Sequence, residues 1–353
     1  MNKLVKNERV MMILIPVVSA MLGLIAGAVI MLLGGYDPML GYQSLFDGMF
    51  GTPKAIGETI RAMTPLALAG IAVAFAYKTG LFNIGVEGQL LVGWLASVWV
   101  GYAFDLPAVI HIPLAVLAAA AAGAVWAFIP GFLKAKFHVH EVIVSIMMNY
   151  IALYTTSSLI RTYLYAGNEK SYDIKESASL ASSFLAQLTN NSRLHYGILI
   201  TIAAAVVMWF ILNKTAKGFE LRAVGFNQHA SQYAGMNVGR NIVLSMAISG
   251  AFAGLAGAME GLGTFQYMGT FTAFTGTGFD GIAVALLGAN SAIGILLASF
   301  FFGGLQTAAP QMNFMTGVPS ELIQIVIALI IFFVASSYLI RWVLGRADKG
   351  GAK

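Results

Sequence analysis

The chain has 353 residues, 58% of them apolar and only 10% charged, with a net charge of +5 and no cysteine. A soluble domain carries about 25% charged residues, so the composition excludes an ordinary water-soluble core and points to a polytopic protein with the lipid bilayer as solvent. Disulfides, thiolate metal sites and a cysteine nucleophile are excluded, and no basic stripe with interleaved aromatics invites nucleic acid.

The first apolar run, residues 10–33, follows Lys3, Lys6 and Arg9. Its 24 residues rise about 36 Å, too long for a signal-peptide core and long enough to cross a ~30 Å hydrocarbon layer. Further apolar segments cover residues 59–77, 84–104, 108–133, 142–165, 196–212, 242–262, 279–289, 293–309 and 321–340. The fold expected is all-α: about ten transmembrane helices in a single domain over residues 1–353, the eighth being short enough to read as a half-helix. Glycine, at 39 residues, exceeds the usual ~7%, as close helix packing in lipid demands. With both termini cytoplasmic, 14 of the 20 Lys and Arg residues fall inside, as the positive-inside rule requires.

Two connections are long. Residues 166–195, outside, place Leu180, Phe184 and Leu188 at helical spacing with Ala181 and Leu185 beside them, a pattern for an amphipathic helix on the outer leaflet or for a docking platform. Residues 213–241, inside, contain Asn227 as an N-cap and Gly235 as a stop. About two turns of helix fit between them, either an ordinary surface helix or one that a partner grips.

Four acids stand in or near apolar segments: Glu87, Glu260, Asp280 and Glu321. A carboxylate at membrane depth costs roughly 3 kcal/mol, and a broken helix there is tolerated only against protein or a water-filled cavity. Glu321 follows Pro319 and Ser320 and reads as a helix-start residue. Glu260, among Gly250, Gly254, Gly257 and Gly261, could reach the headgroups or line a helix contact. Glu87 lies between Gly85 and Gly88, and Asp280 between Gly278 and Gly281. Both sit where the backbone can bend, either lining a pathway or satisfying the free amides of a broken helix. Such breaks in both halves are the usual pointer to a transporter built from related repeats.

His138, His140 and Glu141 imitate a metal cluster but precede a helix with no further ligand, so no metal is expected. The chain contains no Gly-x-Ser-x-Gly, no His-Glu-x-x-His and no Gly-x-x-x-x-Gly-Lys-Ser/Thr phosphate loop. It is therefore expected to be no enzyme, to bind no cofactor, and to rely on a partner subunit for any use of ATP.

Five stretches taken in order resemble the permease subunits of bacterial ABC importers of the ribose, branched-chain amino acid and nucleoside group. They are Phe82-Asn83-Ile84-Gly85-Val86-Glu87-Gly88-Gln89 and residues 141–152, 218–240, 249–257 and 278–288. The Asn-Ile-Gly-x-Glu-Gly-Gln form is most similar to the nucleoside-uptake branch of guanosine type. The resemblance implies a multi-pass permease of the bacterial cytoplasmic membrane, paired with a second related permease, a cytoplasmic ATPase and an extracytoplasmic substrate-binding lipoprotein. It makes residues 213–241 the coupling loop, with Glu220, Arg222, Asn227, Gln228, Ala230, Tyr233 and Gly235 facing the ATPase. The pathway expected for a nucleoside moving by alternating access is lined by Asn83, Glu87, Gln89, Asn149, Phe279 and Asp280. A sugar or branched-chain amino acid permease, or a proton-coupled secondary transporter, remains the alternative.

Overall fold

The computed structural model describes residues 8–335. In chain order the helices are α1 (Glu8–Leu33), α2 (Pro38–Phe50), α3 (Pro53–Tyr77), α4 (Val86–Ala103), α5 (Ala108–Phe137), α6 (Glu141–Leu159) and α7 (Ser183–Leu188). They continue as α8 (Gly197–Lys214), α9 (Ala216–Phe226), α10 (Gln228–Tyr233), α11 (Val238–Ala258), α12 (Thr277–Leu287), α13 (Ala292–Thr316) and α14 (Ser320–Ala335). Wider π turns, Ile160–Leu164 and Met259–Thr264, extend α6 and α11.

Each of the ten expected apolar segments carries a helix, and the fold is all-α as expected. Six helices among the described residues are long and apolar enough to cross a membrane, rather than ten: α3, α5, α6, α8, α11 and α13, with the π turns of α6 and α11 included. Residues 17–33, α12 and residues 321–333 are shorter apolar stretches, and α4 falls below the measure because Glu87 and Gln89 occupy its first turn. The expected cytoplasmic termini lie outside the described residues.

Two helices have no counterpart in the expected set. The apolar residues of α2 are broken up by Gly41, Gln43, Asp47 and Gly48, so no membrane-length run is legible there; it nevertheless buries Leu45 and Met49. Its start is well signalled, with Pro38 at the first turn and Asp37 Oδ1 accepting the Met39 amide at 2.8 Å. The second, α9, opens with Thr215 Oγ1 accepting the Gly218 amide at 2.9 Å.

Hydropathy does not say which apolar helices meet lipid. α3 is enclosed by α11, α12 and α13 and is buried from Leu66 to Ala76, whereas α5 and α8 bury only a stripe. α11 crosses α5 through glycine: a Cβ on Gly254 would stand 2.1 Å from the Ala119 carbonyl oxygen, and one on Gly250 2.3 Å from that of Gly123. Small residues here let two backbones touch where lipid supplies no hydrophobic drive.

The connection over residues 166–195 is not an amphipathic helix beginning near Leu180. It is a strap whose amides pair with the chain leaving α11: Ser171 to Met268 (2.8 Å), Ile174 to Gln266 (2.9 Å) and Leu180 to Leu262 (2.9 Å). Those bonds compete with helix at Leu180, so α7 starts only where Ser182 caps it, and Phe184 and Leu188 remain exposed.

Candidate translocation site

Gly80, with φ +74°, ends the turn after α3, and the chain runs without helix until α4 begins at Val86. Side chains satisfy the open backbone. Asn83 Oδ1 accepts from the Gly85 amide (3.0 Å) and from Gln89 Nε2 (3.1 Å), while its Nδ2 donates to Gln89 Oε1 (2.9 Å) and Ser249 Oγ (2.8 Å). Ser249 Oγ donates to the Ala72 carbonyl at 2.6 Å. From α6, Asn149 Oδ1 accepts the Gly88 amide (2.9 Å) and its Nδ2 donates to the Ile84 carbonyl (3.0 Å). Asn83, Gln89 and Asn149 are thus one buried knot joining α3, α4, α6 and α11, in which no amide group is wasted.

Glu87 is fully buried and reaches the start of α12. Its Oε1 accepts from Thr275 Oγ1 (2.7 Å) and the Gly276 amide (3.0 Å), and its Oε2 from the Gly278 amide (2.7 Å). α12 has no cap of its own, since Gly276 (φ +86°) has no side chain. Glu87 supplies both the missing acceptors and the negative charge that the helix start favours. The contact is close: a Cβ on Gly278 would lie 2.5 Å from the Glu87 Cα. The two glycine-broken acidic segments, one in each half of the sequence, therefore meet in space.

Asp280, one turn along α12, has a different partner. Its Oδ2 accepts from Gln306 Nε2 of α13 at 2.7 Å, and it lines a cavity of about 520 Å³ with Thr275, Thr277, Gln306 and Gln324. Phe279, half-buried, meets Phe274 edge-on at 5.6 Å, and Phe274 meets Tyr150 at 4.9 Å. A second cavity of about 660 Å³ shares Thr277, Gln306 and Pro310 with the first and extends to Glu58, Arg61, Arg193 and Glu260. Glu260 is only 9% exposed, so it lies along this cavity rather than among headgroups.

Sequence reasoning missed Arg61, Thr277 and Gln306. A usable signal was present: Pro65 and Pro310 stand inside apolar helices four residues after Arg61 and Gln306, and proline has no amide to give the carbonyl four residues back. Two backbone acceptors lose their helical donors where polar side chains gather.

At the other end of α11, Asn227 Oδ1 caps α10 by accepting the Ala230 amide at 2.9 Å, and Gly235 stops it with φ +82°. Gln228, Ala230 and Tyr233 are exposed, Tyr233 at 95%, as is Phe226. Glu220 is held by Lys217 Nζ (2.6 Å) and Asn241 Nδ2 (3.0 Å), bonds that keep its carboxyl below the usual range. Arg222 lines a cavity of about 550 Å³ with Lys78 and Phe82, so α9 abuts the broken segment itself. Burial, with Arg222 nearby, lowers Lys78. Glu141 pairs with Lys134 Nζ at 2.6 Å.

Residues 55–335 match the family described as branched-chain amino acid transport system / permease component. The chain is 63% identical over 345 residues to the guanosine ABC transporter permease protein NupP of Bacillus subtilis, covering 98% of this chain and 99% of that one. It is 42% identical to the nucleoside ABC transporter permease protein NupB of Lactococcus lactis, covering 97% and 95%. A third relative, the guanosine ABC transporter permease protein NupQ of Bacillus subtilis, is 28% identical, covering 71% and 80%. Matched over most of its length, this multi-pass membrane chain belongs to the branched-chain amino acid transport system / permease component family.

Proposed function

We propose that this chain is one membrane subunit of an ATP-driven importer in the bacterial cytoplasmic membrane and carries nucleosides, guanosine among them, into the cell by alternating access. The 63% identity to a guanosine permease over nearly the whole of both chains carries this reading. A second related permease completes the membrane pair, a role supported by the presence of two guanosine permease relatives in one organism. A cytoplasmic ATPase uses the ATP, an extracytoplasmic binding lipoprotein delivers the nucleoside, and this chain binds no cofactor. The strap of residues 166–195 faces outward; α9, α10 and both termini face the cytoplasm.

In this scheme the ATPase grips α10 between Asn227 and Gly235, with Gln228, Ala230 and Tyr233 as contacts, while Glu220 and Arg222 tie the loop to the membrane helices. Motion of α9 reaches the turn at residues 78–80 that leads into the break, against which Gly225 is packed: a Cβ there would lie 2.5 Å from the Lys78 carbonyl oxygen. The knot of Asn83, Gln89 and Asn149 and the Glu87 cap hold the break rigid, so α4 and α12 move together. Cargo passes the face bearing Phe279 and Asp280.

The test is uptake of labelled guanosine by cells expressing the chain with and without the ATPase subunit, adding a protonophore under conditions that preserve ATP. Uptake that needs the ATPase and survives the protonophore is expected. Uptake without the ATPase that collapses with the gradient would move the chain to the proton-coupled transporters.

A further inference from the structure

The 660 Å³ cavity holds two acids, Glu58 and Glu260. Of its basic groups, Arg61 and Arg193 bind Glu58, whose Oε2 takes Arg61 Nε (2.7 Å) and Arg193 Nη2 (3.4 Å) and whose Oε1 takes the Arg193 amide (2.7 Å), while Lys54 lines the same space. Glu260 lines the same cavity at 9% exposure, beside the Thr264 hydroxyl and in the field of Arg61 and Arg193, and its Oε2, like Thr264 Oγ1, completes no hydrogen bond among the described residues. A buried carboxylate oxygen without a donor is costly and rare. It also sits in the π turn that ends α11, a helix distortion frequent at functional sites.

We infer that Glu260 is a cargo-binding residue: its carboxylate receives the paired 2′ and 3′ hydroxyls of a ribose as the nucleoside passes through this cavity. The inference rests on the nucleoside reading above and names a contact within it. Pockets for small molecules hold about 300–1,000 Å³, so the space suits one nucleoside. The chemistry suits the sugar rather than the base. Its acceptors include the carboxylates of Glu58 and Glu260, and the prolines at 65 and 310 leave the carbonyls of Arg61 and Gln306, two residues of the lining, without their helical amide donors. Ribose hydroxyls supply the missing O–H donors, and a carboxylate can accept two adjacent ones side by side. The diol is also common to purine and pyrimidine nucleosides, so one acid serves every cargo. Because this cavity shares Thr277 and Gln306 with the one containing Asp280, Glu260 is met at one end of the route and Asp280 further along.

The experiment measures saturated uptake rates of guanosine and 2′-deoxyguanosine by cells carrying the whole importer, with the binding lipoprotein unchanged. The wild type is compared with Glu260→Gln, which keeps the side chain's shape, and assembly is checked by co-purification with the ATPase. The expected result is a preference for guanosine in the wild type and a loss of about tenfold in guanosine rate in the variant, with the 2′-deoxyguanosine rate unchanged. Equal rates for the two nucleosides in the wild type would overturn the proposal without any variant. A fall shared by both nucleosides, no fall, or a fall that spares inosine and so tracks the guanine amino group would also overturn it. A wild-type importer that carries no nucleoside overturns the underlying reading, and the proposal with it.

Discussion

Glu87 and Asp280 are both carboxylates beside glycine, yet their partners divide their work. Glu87 is spent on three donors at the start of α12, so Glu87→Ala would strand the Thr275 hydroxyl and the Gly276 and Gly278 amides. With about 1–3 kcal/mol for an orphaned buried group, partly relieved by relaxation, a loss of about 2–4 kcal/mol in stability is expected. Asp280→Asn can keep its bond to Gln306 by presenting the amide oxygen, so its thermal stability should stay within about 1 kcal/mol of wild type while uptake falls. Thermal unfolding and uptake, measured on both variants, check the division; equal destabilisation would refute it. The sequence showed an acid next to a helix break in each half. It could not show that Glu87 serves the far break, because residues 188 to 191 positions apart must meet for that bond to exist.

The strap ends at His195, whose Nδ1 accepts the Gly197 amide at 3.1 Å at the start of α8. Burial, reinforced by Arg61 and opposed by Glu58, lowers its pKa from 6.5 to about 4. The unfolded strap therefore takes up the proton first. Stability is full above the unfolded pKa and is lost as pH falls from 6.5 toward 4, by up to about 3 kcal/mol. Amide hydrogen exchange at Ile174 and Leu180 should accelerate between pH 7 and pH 5, and a neutral, non-titrating residue at position 195 should flatten that dependence. Elements were unevenly legible. α10 could be read from Asn227 and Gly235 because a cap and a stop are local chemistry. α7 could not, because the backbone of Leu180 is claimed by Leu262, a competitor invisible to periodicity.

Across the molecule, the contact between α5 and α11 depends on backbone approaching backbone. Gly254→Ala places a methyl 2.1 Å from the Ala119 carbonyl oxygen, so the helices must separate. A cost of about 1–3 kcal/mol is expected. Gly239→Ala on the same helix finds its nearest atom at 3.8 Å and should be neutral or stabilising by about 0.5–1 kcal/mol. Comparing the thermal stability of the two variants separates packing from helix propensity.

Composition and apolar run lengths were enough to establish an all-helical membrane protein and where most of its helices lie, because the transfer of each segment into lipid is a sum over neighbouring residues. The motif at residues 82–89 also located the break. What the amino-acid order alone left open was which helices are enclosed, that the two broken segments cap one another, and that Arg61, Glu260 and Gln306 surround one cavity. Those are contacts between residues distant in the chain, and only the packing of glycine against backbone and of one helix start against another's carboxylate brings them together.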